Sequence, residues 1–135
     1  MYATFTGFRL GADGSVFYAL AASPPILQLR ASERTLSHTE EGQFPLGLLP
    51  VSNFDGHRLE VASGDLLVVA TDGILEVCNK PQEKSQEEFG VERLKQVIAA
   101  NAQDPLPELA ARILAAARGF GHQLDDQTIL IMRCS

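Results

Sequence analysis

Two acidic points in this chain have the residue types and the setting to hold a hard cation. The first is Asp72, where the run Gly64-Asp65-Leu66-Leu67-Val68-Val69-Ala70-Thr71 ends in Asp72-Gly73. The second is Asp125-Asp126-Gln127-Thr128, which opens another apolar run from Ile129 to Met132. An acid at a strand end projects past the sheet, where metal and water can reach it. Two such acids, each flanking a buried strand, meet if both strand ends lie on the same side of one sheet. Oxygen donors of this kind suit Mg²⁺ or Mn²⁺ better than zinc. Gly73 adds backbone that a ligand can approach closely. An isolated Thr-Asp-Gly is usually an ordinary turn, and an isolated Asp-Asp a solvated loop or a cap. The joint placement is what sets this pair apart.

Other polar residues carry less. His122 stands in a glycine-flanked loop near Asp125, and His38 and His57 lie in polar stretches. All three read as surface residues. Ser23, in Ala22-Ser23-Pro24-Pro25, has neither a strand-to-helix elbow nor an identifiable histidine partner, so a serine hydrolase is rejected. Gly7, Gly11 and Gly14 read as strand and hairpin glycines, not as a phosphate loop.

A chain of 135 residues is one domain at most, and 45% hydrophobic residues are enough to fill its core. The net charge of −6, with the cations scattered, argues against nucleic acid as a partner. An acidic protein that handles phosphate esters needs metal ions to reverse the local sign. Cys78 and Cys134 belong to no Cys-x-x-Cys motif and read as packing residues of a reducing cytosol. The chain shows no leader peptide and no apolar run of about 18 residues, so a cytoplasmic protein without a membrane segment is expected.

The elements that must position these residues follow from periodicity. Tyr2 to Leu10 alternates as a strand, Gly11-Ala12-Asp13-Gly14 is a hairpin turn, and Val16 to Ala22 returns. Ser23-Pro24-Pro25 interrupts, and Ile26 to Arg30 is expected to resume in the same sheet. Thr35 to Thr39 reads as an edge strand, Glu40 to Phe54 as loop, and Gly56 to Val61 as a strand with His57, Arg58 and Glu60 outward. Asp65 to Thr71, nearly all apolar, is expected to be covered on both faces. Ile74 to Val77 starts a helical turn, and Lys80 to Glu88 is a surface loop. Val91, Leu94, Val97 and Ile98 mark one amphipathic helix. Leu106, Leu109, Ala110, Ile113, Leu114 and Ala117 mark a second, started by Asp104-Pro105 and stopped by Gly119 and Gly121. A last strand runs from Gln127 to Arg133. The order predicts an α+β layered fold with helices on one sheet face. The chain begins within a strand, so residues 1–135 are expected to be the C-terminal portion of a single larger domain.

Five runs share one order with a known family. They are Leu20-Ala21-Ala22-Ser23-Pro24-Pro25-Ile26-Leu27, Phe44-Pro45-Leu46-Gly47-Leu48, Ser63-Gly64-Asp65-Leu66-Leu67 with Thr71-Asp72-Gly73-Ile74-Leu75-Glu76, Phe89-Gly90 before Arg93-Leu94, and Asp125-Asp126-Gln127-Thr128-Ile129-Leu130. Together they resemble the C-terminal part of the SpoIIE-like, metal-dependent protein serine/threonine phosphatases of bacteria. The resemblance implies a phosphatase type 2C-like β-sandwich flanked by helices, here lacking its N-terminal strands and helices. It implies two Mn²⁺ or Mg²⁺ ions in an intact domain, one held by Asp72 and Asp125. Gly73 would line the site through its backbone, and Asp126 would position the ligand or a water. The implied substrate is a phosphoprotein, an anti-sigma-factor antagonist, and the implied neighbour in the full protein is a sensor or receiver domain.

The chain departs from the family pattern twice. It has no Asp-x-x-Gly-His block, which in the family supplies an aspartate bridging both metals. Ala22-Ser23 stands where the family commonly has Gly-His. The expected outcome is weak metal binding and little or no activity for this chain alone. The alternative is a degenerate phosphatase-like module that binds a partner protein in a signalling circuit without catalysis. Loss of leading strands would also bare sheet edges, so self-association is expected.

Overall fold

A computed structural model describes residues 1–42, 44–50, 53–80 and 86–135. The elements, in order, are β1 (Phe5–Leu10), β2 (Val16–Ala21), β3 (Leu27–Arg30), β4 (Thr35–His38), β5 (His57–Leu59), β6 (Leu66–Ala70), α1 (Asp72–Leu75), α2 (Gly90–Ala100), α3 (Leu106–Phe120) and β7 (Ile129–Arg133). The strands form two antiparallel sheets, ordered β1-β2-β5 and β4-β3-β6-β7. The α+β class read from the sequence is therefore observed. The polar loop expected from Lys80 to Glu88 lies in part outside the described residues, as does part of the one from Glu40 to Phe54.

The β1–β2 hairpin forms where Asp-Gly predicts it. Gly14 takes a positive φ of 81°, and the Asp13 carboxylate accepts hydrogen bonds from the Ser15 N–H at 3.0 Å and the Ser15 hydroxyl at 2.6 Å. The next connection differs from the expectation. β2 and β3 lie in different sheets, not the same one. Two successive prolines have no N–H to give a ladder. Ala22 adds a left-handed turn at φ 44°, which swings the chain out of the first sheet and into the second.

The core lies between the four-stranded sheet and the helices. Leu27, Leu66, Val68 and Ala70 point to one face and meet Ile74, Leu94, Ile98, Leu109 and Ile113. Leu67 is buried on the opposite face, so β6 is covered on both sides as its composition requires. The strand after Asp126 is less buried than its apolar sequence predicts. β7 is an edge strand; Ile129 and Ile131 pack on the core, but Leu130 points away and is 48% exposed. α3 begins directly after Asp104-Pro105, as expected, and the Asp104 carboxylate pairs with Arg112 Nε.

One buried acid ties the layers together. Asp65, 1% exposed, accepts hydrogen bonds from Ala31 N at 2.9 Å, Ala62 N at 3.0 Å and Gln28 Nε2 at 3.2 Å. Gln28 donates in turn to the Glu60 carbonyl at 2.7 Å. Burial alone would raise the Asp65 pKa. The three hydrogen bonds and the charge of Arg30 outweigh burial and hold it below the usual carboxylate range.

Candidate functional site

Antiparallel register decides where the two acidic points stand. β6 pairs with β7 from Leu66 opposite Arg133 to Ala70 opposite Ile129. The exit of β6 therefore sits beside the entry of β7. Thr71 continues the ladder: its N–H donates to the Thr128 carbonyl at 3.0 Å, and its hydroxyl oxygen accepts from Thr128 N at 3.0 Å. One turn further, Gln127 Nε2 donates to the Gly73 carbonyl at 3.0 Å.

Gly73 is the tightest point of this junction. It is buried, and a Cβ there would overlap the Asp126 carbonyl oxygen and crowd the Asp125 carbonyl. Glycine is required because two stretches of backbone touch. Asp72, just before it, is the first residue of α1 and is exposed; its carbonyl accepts from Glu76 N at 2.7 Å. Asp125 and Asp126 are exposed across the junction. Asp125 Oδ1 accepts from Asp126 N at 2.7 Å, and the Asp125 carbonyl accepts from Gln123 Nε2 at 3.0 Å.

The corner is more acidic than Asp72, Asp125 and Asp126 alone make it. Glu76 has its carboxyl pKa raised, first by burial and then by the charges of Asp72, Glu88 and Asp125. Three carboxylates thus act on a fourth here, and among the described residues none of the four side chains is in an ion pair. Glu76 and Glu88 were not singled out from the sequence. A signal existed for Glu76, which lies one helical turn after Asp72 and so shares its face. Nothing in the local sequence places Glu88 there.

Asp72 lies where two cavities meet. One, of about 440 Å³, is lined by Asp72, Glu76, Glu88, Glu41 and Ser23 among others. The other, about 300 Å³, opens between the sheets, where Phe5 and Phe8 face Val69 and Leu130. Ser23 Oγ lies 2.6 Å from Thr6 Oγ1 and, among the described residues, contacts no imidazole, in keeping with its rejection as a nucleophile. His38, His57 and His122 are exposed, as expected.

In donor chemistry, this corner fits a hard divalent cation. In donor number it falls short: among the described residues no group of three His, Cys, Asp or Glu side chains is arranged to hold an ion.

The family model for Stage II sporulation protein E (SpoIIE) matches residues 1–135. The chain belongs to the SpoIIE family. Solved structures agree on the fold. The SiaA-PP2C domain of Pseudomonas aeruginosa is 21% identical, with a TM-score of 0.72 over 90% of this chain and 47% of its own. The phosphatase domain of SpoIIE from Bacillus subtilis, presoaked with Mn, is 16% identical, with a TM-score of 0.71 over 97% of this chain and 56% of its own. The RsbU and RsbW domains of a Mycobacterium tuberculosis protein are 27% identical, with a TM-score of 0.69 over 89% of this chain and 32% of theirs. The chain thus spans roughly a third to a little over half the length of these SpoIIE-like neighbours. No curated protein matches it. Among the described residues no helix is long and apolar enough to cross a membrane.

Proposed function

We propose that residues 1–135 are the C-terminal portion of a metal-dependent protein serine/threonine phosphatase domain. Asp72 and Asp125 are its carboxylate ligands for one Mn²⁺ or Mg²⁺. The observation that carries this reading is the contact of Gly73 with the Asp125–Asp126 carbonyls, which brings the two acidic points to one end of one sheet. Asp72 supplies a freely exposed carboxylate. Asp125 has one oxygen committed to the Asp126 N–H, which steadies it and leaves the other oxygen to donate. Asp126, held by its carbonyl against Gly73 and Thr71, orients a ligand or water beside the site. When bound, the metal acidifies water and neutralises charge on the phosphoryl oxygens. With too few donors of its own, this chain binds the ion weakly and hydrolyses little.

The substrate of the intact domain is a phosphoprotein of the anti-sigma-factor antagonist type, with a sensor or receiver domain as neighbour. Family membership supports this reading. The protein works in the cytoplasm, where its two free cysteines stay reduced. It also associates with itself: β1 and β7 are outer strands, and Phe5, Leu10 and Leu130 are exposed along them.

Calorimetry with Mn²⁺ tests the site. Weak binding that disappears in Asp72→Asn and in Asp125→Asn is expected. Binding unchanged by either substitution removes the pair from the site and leaves the partner-binding module as the better reading.

A further inference from the structure

A second feature of the molecule is left unused by the metal site. Beyond Glu41 and Gly42, a cavity of about 440 Å³ lies against β2 and β5. Its walls are aromatic: Tyr18, Phe44, Phe54 and His57. Tyr18 and His57 lie in tilted contact, with ring centroids 5.3 Å apart and planes at 32°, and both rings line the cavity. Its rim is acidic, with Glu40, Glu41 and Asp55. Among the described residues none of these three acids is in an ion pair, although Arg58, Arg93, Lys95 and Arg112 all find carboxylates elsewhere. Burial and the charge of Glu40 raise the Tyr18 pKa, so Glu40 acts directly on the phenol.

A π wall with unpaired carboxylates at its edge attracts cations. Phosphate is excluded by the same carboxylates. The rim acids do not converge as a metal site does, so a broad, diffuse cation fits better than a divalent ion. Guanidinium has that shape: it stacks flat on aromatic rings and donates in a fork to carboxylates. Glu41 and Gly42 line both this cavity and the one that holds Asp72, so the two are neighbours along one groove. We propose that this groove takes an arginine side chain of the phosphoprotein substrate, so that the preferred substrates carry an arginine near the phosphorylated residue. The inference rests on the phosphatase reading for the word substrate; the arginine site itself stands on the groove alone.

The test uses the full chain and fluorescence anisotropy with a labelled, unphosphorylated decapeptide that carries one arginine. Its glutamine counterpart is the control. The arginine peptide is expected to bind about tenfold tighter than the glutamine peptide. Glu40→Gln and Asp55→Asn, both on the surface, should each weaken it by about threefold or more without altering the circular dichroism spectrum. Equal binding of the two peptides overturns the proposal, as does displacement of the arginine peptide by Mn²⁺ in the Asp72→Asn background. Asp72→Asn by itself should leave arginine selectivity intact. If Mn²⁺ binding proves independent of Asp72 while arginine selectivity persists, the phosphatase site fails and the groove does not.

Discussion

On the four-stranded sheet, Leu27, Leu66, Val68 and Ala70 meet Ile74, Leu94, Ile98, Leu109 and Ile113, and none of these is more than 1% exposed. On the three-stranded sheet, Phe5 is 49% exposed and Leu10 64%. The first layer is closely packed and covered by helices; the second is open on much of its surface. Asp72 and Asp125 stand at the end of the packed layer, where β6 and β7 are held on the core. The aromatic groove stands on the open layer, on β2 and β5. The proposed metal site thus lies on the layer that buries most of its surface, and the proposed arginine groove on the layer that keeps its surface in water.

Truncating one side chain in each layer breaks the comparison most directly. Ile113→Ala should cost about 2–5 kcal/mol in urea unfolding, through lost burial and the cavity it leaves. Phe5→Ala should cost less than about 1 kcal/mol, because half of the ring is already in water. Equal losses would mean that both sheets share one core.

Gly73→Ala comes next. The added methyl meets backbone on the facing segment, so the β6–β7 junction must separate. A loss of about 3 kcal/mol is expected, together with loss of Mn²⁺ binding in calorimetry. Retained binding at full stability would show that the two acidic points do not depend on this contact.

Asp65→Asn sharpens the comparison in pH. The folded-state pKa of Asp65 is depressed, so its contribution is full above about pH 4, the unfolded value, and is lost as pH falls through the lower folded one. The substitution should cost about 2 kcal/mol at neutral pH and flatten the acid limb of the stability profile. An unchanged acid limb would assign that limb to other carboxylates.

The smallest effect has the opposite sign. Ala22 holds a φ of 44° at the crossing between the sheets. Ala22→Gly should raise stability by about 0.5–1 kcal/mol, read from the same urea curves. A loss would mean that the methyl group packs usefully there.

Much of this was legible in the chain because local chemistry sets it. The Asp13-Gly14 turn, the stripes of α2 and α3 and the apolar β6 follow from backbone preference and periodicity, which neighbours in sequence determine. Asp72 and Asp125 stood out for the same reason, as acids where strands stop. The sheet change after Ala22 did not, since a pair of prolines ends a ladder without saying where the next one forms. Nor did the exposure of Leu130, because an apolar edge strand and a buried one read alike. Glu88 joined the acidic corner, and Tyr18 met His57, through contacts between segments remote in sequence. The amino-acid order by itself determined which pieces form and which acids end them. Tertiary structure alone decided which pieces share a sheet and which charges share a corner, because register and packing depend on the whole chain at once.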